Sequence, residues 1–152
     1  MHSHQETRHF PYSTNQLYEL VAGVELYPEF LPWCRATRIL ERKDTYFTAE
    51  MIIAFKQLRE SYISRVETSP PAGHNTEARI DVTLVSGPFH TLENHWHFLP
   101  NPDGGCDVHL SLKFQFKSKL LDSVMGPLFG RAEEKMVGAF SDRAHALYDR
   151  KT

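Results

Sequence analysis

Two hydrophobic periods divide the chain. From residue 36 to residue 116 apolar side chains recur at every second position, the spacing of strands with one covered face. Phe47, Ala49, Met51, Ile53 and Phe55 alternate with Thr48 and Glu50, and Tyr62, Ser64 and Val66 with Ser61, Arg65 and Glu67. Ile80, Val82 and Leu84 oppose Arg79, Asp81 and Thr83; Leu92, Asn94, Trp96 and Phe98 oppose Glu93, His95 and His97. Val108, Leu110, Leu112, Phe114 and Phe116 oppose His109, Ser111, Lys113 and Gln115. One-sided alternation predicts an antiparallel sheet with one dry face and one wet face. Turns are expected at 56–58, 70–75, Gly87-Pro88 and Pro102-Asp103-Gly104-Gly105. If the last of these makes a hairpin whose paired residue numbers sum to about 206, Glu93 faces Lys113, Asn94 faces Leu112 and His97 faces His109.

From residue 118 the period lengthens. Leu121, Val124, Met125, Leu128, Phe129, Ala132, Met136, Phe140, Ala144 and Leu147 fall at helical spacing and share one face. Ser118 is a fair N-cap. Gly126-Pro127 predicts a kink between a short first piece and a long second piece running to residue 149. No other long helix is available to cover that apolar face, so it must lie on the sheet.

Before the strands, residues 5–11 read as an edge strand closed by Pro11, with His2 and His4 in a frayed end ahead of it. Ser13 and Gln16 have the spacing of a capping box, and Leu17, Leu20 and Val21 form the stripe of a short helix ending near Gly23. A second short turn carries Leu26, Phe30 and Leu31, is broken by Pro28 and stops at Pro32. The expected fold is α+β: a curved antiparallel sheet of about six to seven strands wrapped around a long C-terminal helix. Two short helices follow the first strand, in a single domain over 1–152.

Composition adds mainly exclusions. Seventeen basic against nineteen acidic residues give a net charge of −2, too small a field to point to nucleic acid or an anionic surface. No apolar run reaches the ~18 residues of a membrane span. Residues 1–5 have neither a basic nor an apolar leader region, so no secretory signal is expected. Cys34 and Cys106 stand far apart and read as reduced thiols.

A sheet bent around one helix often closes its core incompletely. Gly126, Gly130 and Gly138 remove volume from that helix, so an apolar cavity between helix and sheet is the first candidate site. Asn94 is the polar member of the inward face. Its amide either bonds a neighbouring strand or points into the cavity. Trp33 and Trp96 offer flat apolar walls. Glu93, His95, His97 and His109 could in principle gather at a metal, but they lie on the wet face, where a closed site has no walls; no metal is expected. Arg59, Arg65 and Arg79 read as a solvated sheet face rather than an RNA patch. No nucleophile elbow, phosphate loop or dinucleotide fingerprint is present.

Three separated stretches carry a family resemblance. They are Tyr27-Pro-Glu-Phe-Leu-Pro-Trp-Cys34, Gly87-Pro-Phe-x-x-Leu92-x-Asn94-x-Trp96-x-Phe98, and Phe114-x-Phe116-Lys-Ser-x-Leu120-Leu121. Their order and spacing resemble the coenzyme Q-binding proteins of the START/polyketide-cyclase superfamily, in the bacterial form that lacks a transit peptide. The resemblance implies a helix-grip fold and a ligand tunnel. It also implies non-enzymatic binding or chaperoning of a prenylated quinone such as ubiquinone, supporting respiration, with no cofactor beyond that ligand. The place implied is the cytoplasm, peripheral to the inner membrane, with transient contact to its surface. A toxin branch of the same family, reported to block ribosomal subunit association, makes a ribosomal subunit the alternative partner. A cyclase-like enzyme comes third, since the inward face offers few acid–base groups beyond Tyr62 and Asn94. Phe47, Met51, Ile53, Leu84, Leu92, Trp96, Phe114, Leu121, Met125 and Phe129 are expected to line one continuous apolar space. Asn94 and Tyr62 would meet the head group, and Phe30 and Trp33 would stand at the mouth.

Overall fold

The computed structural model describes residues 2–55, 58–125 and 129–149, leaving aside the side chains at 55, 58, 125 and 129–133. Its elements run β1 (His2–Phe10), α1 (Thr14–Ala22), a 3-10 helix (Val24–Glu29), β2 (Cys34–Arg42), β3 (Tyr46–Phe55), β4 (Leu58–Ser69), β5 (Ala78–Ser86), β6 (Phe89–Pro100), β7 (Cys106–Phe116), α2 (Lys119–Met125) and α3 (Phe129–Tyr148). The strands form one antiparallel sheet in the order β1-β7-β6-β5-β4-β3-β2. This is the expected helix-grip arrangement. Each hairpin pairs neighbours in sequence, and only β1 crosses over, to lie beside β7.

The β6–β7 hairpin has the expected register: Glu93 opposite Lys113, Asn94 opposite Leu112, His97 opposite His109. Alternation alone decides it, because a one-residue slip would turn Leu92, Trp96 and Phe98 into solvent. Gly87 at the β5–β6 turn has φ +147°, and a Cβ there would stand 2.6 Å from the Tyr62 Cβ. Glycine is required on both counts, and its bareness lets the turn lie against β4.

α1 starts as the sequence predicts. The Gln16 amide donates to Ser13 Oγ at 3.2 Å, and the Ser13 amide donates to Gln16 Oε1 at 3.0 Å. Leu17, Leu20 and Val21 are buried. They join a core with Phe10, Tyr27, Leu31, Ile80, Trp96, Phe98 and, from α3, Val137, Phe140 and Ala144. Phe140 is the centre of an aromatic group: the rings of Phe30, Trp96 and Tyr27 lie 5.2, 5.2 and 5.4 Å from its own. The far end of α3 is tied down by hydrogen bonds. Tyr148 donates to the Gln16 carbonyl at 2.9 Å, and the Tyr12 hydroxyl bonds both His145 and Asp149. Burial, then the Asp149 hydrogen bond, push the Tyr12 phenol up to about 12.

Four expectations change. β1 begins at His2, and His2 pairs with Phe114 and His4 with Leu112, so neither is frayed. Pairing to β7 holds residues whose own sequence shows no apolar alternation. Leu26, Val124 and Leu147 lie on expected apolar stripes but are 50%, 54% and 39% exposed. Val24 and Tyr27 take the inward side of the tighter 3-10 turn instead of Leu26. The kink at Gly126-Pro127 lies outside the described residues, and Gly130 is described only as part of the α3 backbone.

Candidate binding site between the sheet and the helices

The inward side chains of the central strands form transverse rows. One row crosses six of the seven strands: His4 on β1, Leu112 on β7, Asn94 on β6, Val82 on β5, Val66 on β4 and Phe47 on β3. Phe47 and Val66 are buried, but Val82, Asn94 and Leu112 are only half-buried. Toward the other end, Met51, Ile53, Tyr62, Leu84 and Phe114 are half-buried as well. An inward row on a closed core would be sealed; this one is not.

The buried apolar residues fall into two groups, and the row's own Phe47 and Val66 belong to the larger one. Phe47 and Trp96 belong to the main core, with Phe30, Trp33 and Met51 packed against it. Leu92, Phe89 and Phe116 form a second group, joined by Tyr62, Leu84, Phe114 and Leu121. The side chains of Met125 and Phe129 lie outside the described residues. Of the expected wall residues, Phe47, Met51 and Trp96 go to one cluster and Leu84, Leu92, Phe114 and Leu121 to the other, while Ile53 joins neither. Asn94 stands between them in the register, opposite Val82 and Leu112.

Asn94 takes no side-chain hydrogen bond from a neighbouring strand among the described residues. Of the two readings its sequence position allowed, the bonded one is not realised. Tyr62 donates to Met51 Sδ at 3.2 Å. Burial, and secondarily the nearby Cys34 thiol, hold the Tyr62 phenol well above its ordinary value, so it stays protonated and can only donate or accept as a hydroxyl. Cys34 and Cys106 are buried free thiols pushed by burial to about 11 and about 12. Neither has the thiolate that a nucleophile needs.

Sequence reasoning missed His4 and Glu6. Both are half-buried on the inward side of β1, where the alternation is polar on both faces and carries no signal. Only the pairing with Leu112 and Leu110 reveals their direction. Their side chains meet each other and Arg8: His4 Nε2 is 3.0 Å from Glu6 Oε1, and Arg8 is 3.2 Å from Glu6.

Phe30 and Trp33 stand apart from the Asn94 row. With Pro32, Lys135 and Gly138 they border an open groove of about 740 Å³ between α3 and the start of β2. The Arg143 guanidinium lies 5.3 Å over the Phe30 ring and 2.9 Å from Glu29. A Cβ at Gly138 would meet nothing within 4 Å.

On the wet face His95 and His97 are occupied by carboxylates. His95 Nδ1 lies 2.7 Å from Asp81 and its Nε2 3.1 Å from Glu93; His97 bonds Glu77. His109 bonds Thr7 at 2.6 Å. Among the described residues no group of three or more ligating side chains is placed to hold a metal. Arg65 and Arg79 each contact a neighbouring glutamate, Glu67 and Glu77.

Comparison with known proteins agrees with this geometry. The family profile of polyketide cyclase/dehydrase and lipid transport matches residues 10–141. A ribosome association toxin, RatA, from Rickettsia prowazekii is 38% identical over 144 residues, covering 95% of this chain and 97% of that protein. A protein of the same name from Pseudomonas aeruginosa is 36% identical over 144 residues, covering 95% and 96%. Mitochondrial coenzyme Q-binding protein COQ10 homolog B from Xenopus laevis is 30% identical over 151 residues, covering 97% of this chain and 60% of that protein. Among solved structures, an 18 kDa protein from Caulobacter crescentus is 35% identical with a TM-score of 0.74, covering 99% and 100%. A START superfamily protein from Mycobacterium smegmatis has a TM-score of 0.76 at 19% identity, covering 97% and 99%, and speaks for the fold alone.

Proposed function

The chain belongs to the polyketide cyclase/dehydrase and lipid-transport family, and we propose that it acts by binding rather than by catalysis, with a ribosomal subunit as its macromolecular partner. The observation that carries the ribosomal reading is the near end-to-end likeness to proteins named ribosome association toxin. The non-enzymatic reading is supported by the inward face. Its Tyr62 phenol is held protonated by burial, and both thiols are buried. The test is sucrose-gradient sedimentation of ribosomes with added protein. The expected result is co-sedimentation with one subunit and loss of the joined particle; an unchanged profile with the protein left at the top of the gradient refutes it.

A second reading is favoured by a specific observation, the unbonded Asn94 amide in the half-buried row. There the ligand is a prenylated quinone, the cargo suggested by the COQ10 likeness, with its carbonyls accepting from Asn94 and Tyr62. Each buried CH₂ of a prenyl tail is worth about 0.8 kcal/mol against water. The tail leaves a bilayer as apolar as the protein, so transfer is close to neutral and the head group sets the preference. Tryptophan quenching by short- and long-tailed ubiquinones in the presence of liposomes tests this. Similar affinities for all tails, lost in Asn94→Leu, are expected. A steep climb with tail length and no effect of Asn94→Leu would sink it.

A further inference from the structure

α2 has an apolar edge that nothing in the described fold covers. Leu120 is 77% exposed and Val124 54% exposed, and four residues apart they share one side of the helix. Leu121 turns the other way, onto the Phe89, Leu92 and Phe116 cluster. Lys117 and Lys119, at the start of the helix, are exposed. Neither forms an ion pair among the described residues, so both ammonium groups are available to a partner. The acid of the helix, Asp122, is engaged: it accepts from the Phe116 amide at 3.0 Å and lies 3.1 Å from His2 Nε2. The exposed side of this helix is therefore aliphatic and cationic.

We propose that α2 and the two lysines before it form a docking surface for an anionic lipid bilayer. Leu120 and Val124 enter the acyl boundary, and Lys117 and Lys119 meet the phosphate head groups. The side chains fit this occupant better than others. RNA gains from the lysines, but two aliphatic side chains give its bases no π-face to stack on. A specific protein partner needs roughly 1,000 Å² of matched surface, far more than two side chains supply. A bilayer accepts a small amphipathic edge and asks for no matched shape. Docking here puts the Phe89–Leu92–Phe116 cluster about one helix diameter, or roughly 10 Å, from the acyl phase. The surface is independent of the ribosomal reading.

The test is co-sedimentation of the full chain with phosphatidylglycerol–phosphatidylcholine vesicles and with pure phosphatidylcholine vesicles. The parent should bind the first much more tightly, and salt should weaken that preference. Leu120→Asp should lower affinity by at least about tenfold, and Val124→Gln by less. Lys117→Gln and Lys119→Gln should each lower it about fivefold. All four side chains are exposed, so circular dichroism should show an unchanged fold. The same variants run on ribosome gradients separate the two ideas. If the parent ignores anionic vesicles, or if Leu120→Asp leaves their binding unchanged, the proposal is overturned. Loss of ribosome binding in the lysine variants without any vesicle binding overturns it in favour of an RNA contact.

Discussion

Asn94 and His95 are neighbours in sequence with opposite surroundings. The Asn94 side chain faces the helices with no hydrogen bond to a neighbouring strand among the described residues, while His95 faces solvent between Asp81 and Glu93. A half-buried amide loses part of its hydration with no protein hydrogen bond in return, whereas a leucine there would add buried apolar area. Asn94→Leu should therefore raise thermal stability by about 1 kcal/mol, read in a denaturant melt; a loss of stability would mean the amide is bonded after all. For His95 the hydrogen bond to Asp81, followed by the one to Glu93, raises the imidazole above its ordinary 6.5. A raised folded-state value favours the native state below pH 6.5, and that contribution fades as pH climbs through the raised value. Ring-proton NMR should show a midpoint above 6.5 that falls in Asp81→Asn. Alternation in the sequence was enough to assign the direction of both residues. What the sequence withheld was the partner. Asp81 lies 14 positions from His95, and only the β5–β6 register puts them side by side.

α1 and the β6–β7 hairpin were readable because their signals are local: a capping box, a stripe, a turn with two glycines and strict alternation on both arms. β1 and α2 were readable only in part. β1 has polar residues on both faces through residue 9, so its true start and its inward side come from pairing with β7. Val124 sits on the apolar stripe by spacing, yet α2 is too short to bury more than one side, and Leu121 takes it. α2 is pinned by Asp122, whose carboxyl is held below its ordinary 3.8, first by the Phe116 amide and then by the His2 charge. A lowered value stabilises above pH 3.8 and is lost as pH falls through the lowered value. On acidification α2 should therefore lose protection from amide exchange before the sheet does, and Asp122→Asn should show that loss already at neutral pH. In α3, Gly138 lies inside the helix, where a Cβ would meet nothing. Gly138→Ala should stabilise the fold by roughly 1 kcal/mol through helix propensity alone. If its melting temperature falls instead, the groove beside Phe30 is narrower than described.

At the scale of the whole molecule, the half-buried row from Leu112 to Val82 was foreseeable as a tendency of sheets gripped by one helix. The division of the buried apolar residues into two clusters was not. It depends on which inward positions the helices reach, and α1, the 3-10 helix and α3 all gather over the Trp96 end, leaving the Phe89 end to α2. Topology carries one more consequence. Six of the seven strands can pair with a neighbour as soon as the next hairpin arm exists, whereas residues 2–10 have their only partner at 106–114. On a nascent chain this strand would be the last one seated, waiting as an open edge from residue 10 until residue 106 is made. Its histidines, glutamate and arginine then serve a second purpose: a polar, charged strand can wait in water without recruiting the wrong neighbour.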